Sequence, residues 1–286
     1  MLNGYVKIAI AAFLFSLTPL FVRWIDLDAI SLFWCSSLIA AFVLILKMIF
    51  QNRKTELIKF NKGLKILIGL GIFTTINNSL FFSAIKITTV ANAMLTHYMA
   101  PVFVFIFSIV LIKERVTKIS ILALILAFSG LAIMLSPNEF ILTDSHFLGL
   151  VLGTSSAIFF SLEILSKKIL TKFYGIDVIN IRYLLISVIL LIPFVSFNEI
   201  LLLDSFDIIS LFVWSIIIIA LGITLFISGL KEIKAQHAGV ISYIEPLGAV
   251  FWGFLIITEI PVIETLVGGA FILLGIYLIM HYRQGG

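Results

Sequence analysis

Apolar residues run through the chain in ten long blocks, at roughly 4–24, 30–50, 64–85, 90–112, 118–136, 147–166, 178–197, 208–230, 236–258 and 262–281. Charged residues gather in the short breaks between them. Each block has about the 20 mostly apolar residues that carry a helix across a bilayer, and the breaks leave no room for a soluble domain. The pattern predicts an all-α integral membrane protein of ten transmembrane helices, nearly all of it in lipid.

Composition agrees. With 62% hydrophobic and 12% charged residues, the chain carries more apolar surface than a soluble domain of 286 residues hides in one core. The single cysteine, Cys35, lies inside an apolar block, where it has no partner for an internal disulfide and reads as a small packing residue. The first block has only Lys7 on its N-terminal side and no convincing cleavage site after it, so it reads as a retained helix.

The net charge of +4 matters less than its distribution. A cytoplasmic N-terminus puts seventeen of the nineteen basic residues on the inner side, among them Lys7, Lys47, Arg53, Lys113, Lys167, Lys234 and Arg283, and leaves only Arg23 and Lys86 outside. The outer connections carry acids: Asp26, Asp28, Glu139, Asp144, Glu199, Asp204, Asp207, Glu259 and Glu264. One missed or invented helix would destroy this bias, so the charges support ten spans and cytoplasmic N- and C-termini. The basic clusters read as orientation and contact with anionic lipid, not as recognition of nucleic acid or an acidic substrate.

A shift of 145 residues, without gaps, pairs Gly4 with Gly149, Ser16 with Ser161, Lys86 with Lys231, Tyr98 with Tyr243, Pro101 with Pro246, Glu114 with Glu259 and Gly130 with Gly275. The constant offset argues for duplication, with one repeat over 1–140 and the second over 141–286. Five helices is an odd number, so the second repeat enters the membrane from the opposite side. Inverted repeats are the architecture of alternating access.

The segments Tyr98-Met99-Ala100-Pro101 through Ile112-Lys113-Glu114-Arg115, and Tyr243-Ile244-Glu245-Pro246 through Ile257-Thr258-Glu259, carry a resemblance to the drug/metabolite transporter superfamily, specifically the EamA-type ten-helix transporters. Gly130 and Gly275 stand where that family has a glycine in the closing helix of each half. A first-helix Trp-Gly common in the family is replaced by Phe15-Ser16, and by Phe160-Ser161 in the repeat. The resemblance implies a carrier for small organic metabolites such as amino acids, amines or related compounds, with a central cavity between the halves.

Ionisable groups inside a span cost roughly 2.5–3.5 kcal/mol on insertion scales and need an explanation. Glu245 lies midway along the ninth span, directly before Pro246, whose missing N–H opens the helix. Ser242, Glu245, Ala249 and Trp252 share one face of an ideal helix, the leading candidate for a cavity wall; the alternative is a carboxyl that locks the bundle. Glu163 is either a proton site or the partner of Lys167 one turn on. Its counterpart in the first helix is Thr18, followed by Pro19. His97 is either a group titrating near neutral pH or a neutral ring bonded across helices. Tyr98 and Tyr243 are tied to the repeated Tyr-x-x-Pro pattern and are expected at the cavity. Asn77 and Asn78 need partners in lipid, one at the substrate path and one at a helix contact. Trp34 is either a stacking platform or a lipid-facing aromatic.

Glu114 and Glu259 stand at turns that open the next helix, where a carboxylate favours the positive end of the dipole, and read as structural. Gly149, Gly153, Ala157 and Ser161 recur every fourth residue, which permits close helix contact within the bundle or at a dimer face.

The expected function is secondary transport of a small metabolite across the plasma membrane, by export or exchange, with protons as the candidate coupling ion. An uncoupled facilitator or channel, or a lipid-handling membrane protein, is the alternative. No zinc-protease motif, paired-aspartate motif, nucleophile elbow or phosphate-binding loop is present, so an enzyme or ATP-driven pump is not expected. No cofactor or metal site is expected either. With few basic residues at membrane depth, phosphorylated sugars are disfavoured as substrates, and the acids, histidine, tyrosines and asparagines suit a zwitterionic or cationic compound.

Overall fold

The structure, a computed structural model, describes residues 3–59, 62–135, 144–257 and 261–282, and among these it is entirely helical, without strands. The helices are α1 (Gly4–Phe15), α2 (Thr18–Trp24), α3 (Ala29–Phe50), α4 (Leu64–Ile87), α5 (Val90–His97), α6 (Ala100–Leu111), α7 (Lys118–Met134) and α8 (Asp144–Leu170). They continue with α9 (Ile176–Leu191), the short α10 (Phe197–Leu201), α11 (Ser205–Trp214), α12 (Ile223–Glu232), α13 (Ala235–Ile241), α14 (Ile244–Trp252) and α15 (Ile263–His281). Pairs of these form single crossings, and among the described residues nine stretches are long and apolar enough to span a bilayer. The remaining apolar helix, α7, has 17 residues, at the short end of the spanning range.

Three crossings are broken where the sequence has proline. α1 gives way to α2 at Ser16 and Leu17, ahead of Pro19; α5 to α6 at Tyr98 and Met99, ahead of Pro101; α13 to α14 at Ser242 and Tyr243, ahead of Pro246. Proline supplies no N–H to the carbonyl one turn earlier, and the chain closes each gap with a tighter bond, such as Val102 N to Met99 O at 3.0 Å and Glu245 N to Ser242 O at 3.0 Å. A fourth irregularity has no proline: Ser215–Gly222 is wound in wide π turns between α11 and α12.

The bundle is held by small residues and apolar packing. α7 and α15, the closing helices of the two halves, lie so close that a Cβ on Gly130 or Gly268 would strike the other helix's backbone. The four-residue row on α8 faces inward: Gly149 meets Thr88, Gly153 meets Thr96, and Ala157 and Ser161 are fully buried. That row packs the bundle and is not a dimer face. Cys35 is buried as a packing residue. Large apolar side chains such as Phe42, Ile125, Phe254 and Leu274 stay exposed around the outside, as lipid contact requires.

Contacts between connections separate the two ends of the bundle. At one end, Lys47 and Arg53 bind Asp177 at 2.7 and 3.0 Å, Arg182 donates to the carbonyls of Leu57 and Lys59, and Lys7 pairs with Glu232. At the other, the Asp28 amide donates to Glu199, the Asp26 amide to Asp207, and Arg23 to the carbonyls of Ile85 and Thr88. Basic connections thus cluster at one end and acidic ones at the other. Glu139, Glu259 and Arg283 lie outside the described residues.

Candidate functional site: a central cavity

A cavity of about 80 Å³ lies inside the bundle. Its polar lining is Thr18 from α2, Asn77 and Asn78 from α4, His97 from α5, Glu163 and Lys167 from α8, and Glu245 from α14. Its apolar walls are Phe15, Phe81, Phe82, Phe160 and Phe226, with Trp214, Ile218 and Ile219 from the start of the wide turns. Phe81, Phe82 and Trp214 belong to one core cluster and Phe226 packs in the other, so the cavity sits where the two meet.

Glu163 is the most thoroughly partnered of the polar groups. Its Oε1 receives Lys167 Nζ at 2.5 Å and its Oε2 receives Asn77 Nδ2 at 3.1 Å. The Glu-before-Lys pairing that the sequence allowed is formed, and both side chains are almost wholly buried. Lys167 was expected at the membrane edge; α8 instead runs on to Leu170 and keeps the ammonium inside, 4.8 Å above the Tyr183 ring.

His97 is bonded through Nδ1 to Ser156 Oγ at 2.8 Å and stacks on Phe81 and Phe160, with centroids at 3.9 and 4.9 Å. The bond from α5 to α8 that the second reading required is formed. Glu245 presents the opposite case: it sits at the first turn of α14, buried, beside the Tyr98 hydroxyl, and has no salt-bridge partner among the described residues. The break at Ser242 and Tyr243 puts that carboxyl in the first turn of α14.

The tyrosines stand behind the cavity rather than on its wall. Tyr243 donates its hydroxyl to the Tyr98 carbonyl at 3.0 Å. Val102 bonds to Met99 instead of closing the regular bond to Tyr98, so the tyrosine of one half supplies a donor at the helix break of the other. The converse bond is absent: the buried Tyr98 hydroxyl lies beside the Glu245 carboxyl and makes no bond to the Tyr243 carbonyl.

Three expected wall residues lie elsewhere. Ser242 bonds its own helix at the Ala238 carbonyl, at 2.9 Å. Trp252 donates to Ser16 Oγ at 3.0 Å and packs on Phe13 and Phe251. Of Ser242, Glu245, Ala249 and Trp252 only Glu245 lines the central cavity: the break after Ile241 separates Ser242 from α14, Ala249 lines the cavity between α5 and α14, and Trp252 packs on α1. Trp34 donates to the Val188 carbonyl at 3.0 Å and meets Phe197, serving a helix contact. Asn78 reaches the cavity but spends an N–H on Thr74 O at 2.9 Å. Lys167, Trp214 and Tyr183 had not been expected here; for Lys167 the only signal is its spacing of four from Glu163.

Each end has a cavity, the one at the basic end about 380 Å³ and lined by Thr117, Ser120, Lys234 and His237, but helix pairs related by the 145-residue offset pack differently. At the basic end Glu114 does not cap α7, which Thr117 caps through Ser120 N at 3.1 Å. Lys113, at φ 55°, turns the chain in the left-handed region that ends a helix, and the Glu114 carboxylate beyond it receives Ala235 N at 2.8 Å and Gln236 N at 3.3 Å. It caps a helix of the other half. Gln236 Nε2 adds a bond to Ser108 Oγ at 2.9 Å, and Gly239 lies against Pro101, so α6 and α13 are packed. A shift of 145 residues relates this pair to α14 and α5, which are parted by a cavity of about 530 Å³ lined by Val90, Met94, Pro246, Ala249, Gly253 and Val262.

The EamA-like transporter family model matches residues 2–136 and again 147–281. The chain belongs to the EamA-like transporter family. An uncharacterized transporter of Archaeoglobus fulgidus is 31% identical over 282 residues, covering 97% of this chain and 96% of that protein. The pseudopaline exporter CntI of Pseudomonas aeruginosa is 22% identical, over 99% and 98% of the two chains. A crystal structure with 17% identity superposes with a TM-score of 0.80 over 98% of both chains, a likeness of fold alone. This EamA-like protein is accordingly a multi-pass transporter of the plasma membrane and not an enzyme.

Proposed function

We propose that this EamA-like transporter moves a small organic metabolite, of the amino acid or amine kind, out of the cell or in exchange, by alternating access between two inverted five-helix repeats over residues 1–140 and 141–286. The proposed coupling ion is the proton, carried by Glu245. The observation that carries the reading is the cavity between the halves, which holds one buried carboxyl without a salt-bridge partner at a helix break. The two family matches begin 145 residues apart, from 2 to 147, which supports the duplication. The exporter name of CntI supports the direction.

One observation favours the uncoupled facilitator: Lys167 already neutralises Glu163, which leaves one free carboxyl rather than a titrating pair. Proteoliposomes with an imposed pH gradient separate the two. Under the proton reading, substrate accumulates against its gradient in the wild type, and Glu245→Gln retains counterflow but loses accumulation. Equal responses of wild type and variant to the gradient remove Glu245 from coupling and leave the facilitator.

A further inference from the structure

The central cavity contains one fixed positive charge, and that charge has hydrogen-bonding capacity to spare. Resting on the carrier reading above, we propose that Lys167 is the residue that recognises a carboxylate group of the substrate, with the indole N–H of Trp214 as a second donor.

An ammonium group has three N–H donors. Among the described residues, Lys167 Nζ gives one to Glu163 Oε1, faces the Tyr183 ring at 4.8 Å, and has no other hydrogen-bond acceptor. Trp214 is fully buried, lines the same cavity, and its Nε1–H, which can only donate, has no partner. Two residues with unspent donors, one of them cationic, therefore line a space walled otherwise by five phenylalanines, three isoleucines, Thr18, the two asparagines, His97, Glu163 and Glu245. The group that answers a cationic donor best is an acceptor with negative charge, since charge-assisted bonds are the strong ones.

Glu163 does not defeat this assignment. Its second oxygen is held by Asn77, so it keeps a donor when Lys167 turns part of its capacity to an incoming anion. Asn77 Oδ1 is buried and unpartnered, an acceptor available for an N–H or O–H elsewhere on the same ligand. The cavity volume of about 80 Å³ limits the ligand to a compact body.

The test uses the full-length protein in detergent and four probes that share one isopropyl body: valine, isovalerate, valinamide and isobutylamine. Thermal stabilisation is titrated with each. Valine and isovalerate are expected to bind at least about tenfold more tightly than the two compounds without a carboxylate, the loss of one charge-assisted hydrogen bond. Lys167→Met removes the difference, and Trp214→Phe reduces it. Because Lys167→Met leaves Glu163 buried without its counter-charge, the Glu163→Gln, Lys167→Met pair is measured beside it. Equal stabilisation by all four probes, no stabilisation by either carboxylate, or a carboxylate preference that survives in the double variant overturns the assignment of Lys167. Counterflow of the same probes in proteoliposomes is read separately. Carboxylate-selective binding without any counterflow removes the carrier reading and leaves Lys167 standing; counterflow without carboxylate selectivity does the reverse.

Discussion

Many side chains bond across from residues 1–140 to residues 141–286, and the asymmetry of the tyrosine pair among them is measurable. Tyr243→Phe removes the donor to the Tyr98 carbonyl and leaves that carbonyl buried and unpaired, a loss of about 1–3 kcal/mol. Tyr98→Phe removes a hydroxyl that makes no bond to the Tyr243 carbonyl, leaves no backbone carbonyl unpaired there, and is expected to lower the melting temperature less. Equal melting temperatures for the two variants would contradict the arrangement. Glu245, Asn77 and His97 were legible in the sequence because an ionisable or amide group in an apolar run stands out. Trp214 was not, since an aromatic among isoleucines reads as core, and its unpartnered N–H exists only once α11 meets the wide turns. Lys167 was misplaced because the end of α8 was drawn four residues early, at 166 instead of Leu170.

Helices and their breaks followed the sequence closely, since an apolar block can only be helical in lipid and Pro19, Pro101 and Pro246 mark the three interrupted crossings. Which helix a side chain serves was harder to read. Glu114 precedes α7, yet it caps α13, because the left-handed Lys113 aims it across the bundle. Glu114→Gln is expected to weaken that cap, and a cysteine at Gln236, in a Cys35→Ser background, then reacts faster with a membrane-impermeant maleimide from the basic end. Unchanged labelling would show that the cap does not hold the two helices together. The α7–α15 contact makes a steric prediction: Gly130→Leu drives a side chain into the backbone at Gly268 and costs at least the roughly 1–3 kcal/mol of an overpacked core. It is read as loss of monodisperse protein, whereas a substitution on the lipid face such as Ile125→Leu is expected to be neutral.

The assembled molecule combines a family fold, a cavity between two core clusters, and ends of opposite charge character. The orientation proposed for it places Lys54 on the cytoplasmic side and Asp204 outside; single cysteines at these positions should label from opposite sides of the membrane, and labelling from one side would refute the ten-span topology. The offset behind the proposed duplication was legible because Tyr, Pro, Glu and Gly pairs hold it, while the unlike packing of α6 on α13 and α5 on α14 was not, since it exists only once the bundle is assembled. The central claim is that the cavity serves a carrier, and counterflow tests it most directly. Proteoliposomes are loaded with pooled unlabelled amino acids and amines, and each labelled compound is offered outside at two pH values. The account predicts saturable, transient overaccumulation of one class of label, reached only when its unlabelled form is inside. Uptake that rises linearly with concentration and ignores the internal pool would contradict it and indicate a passive channel.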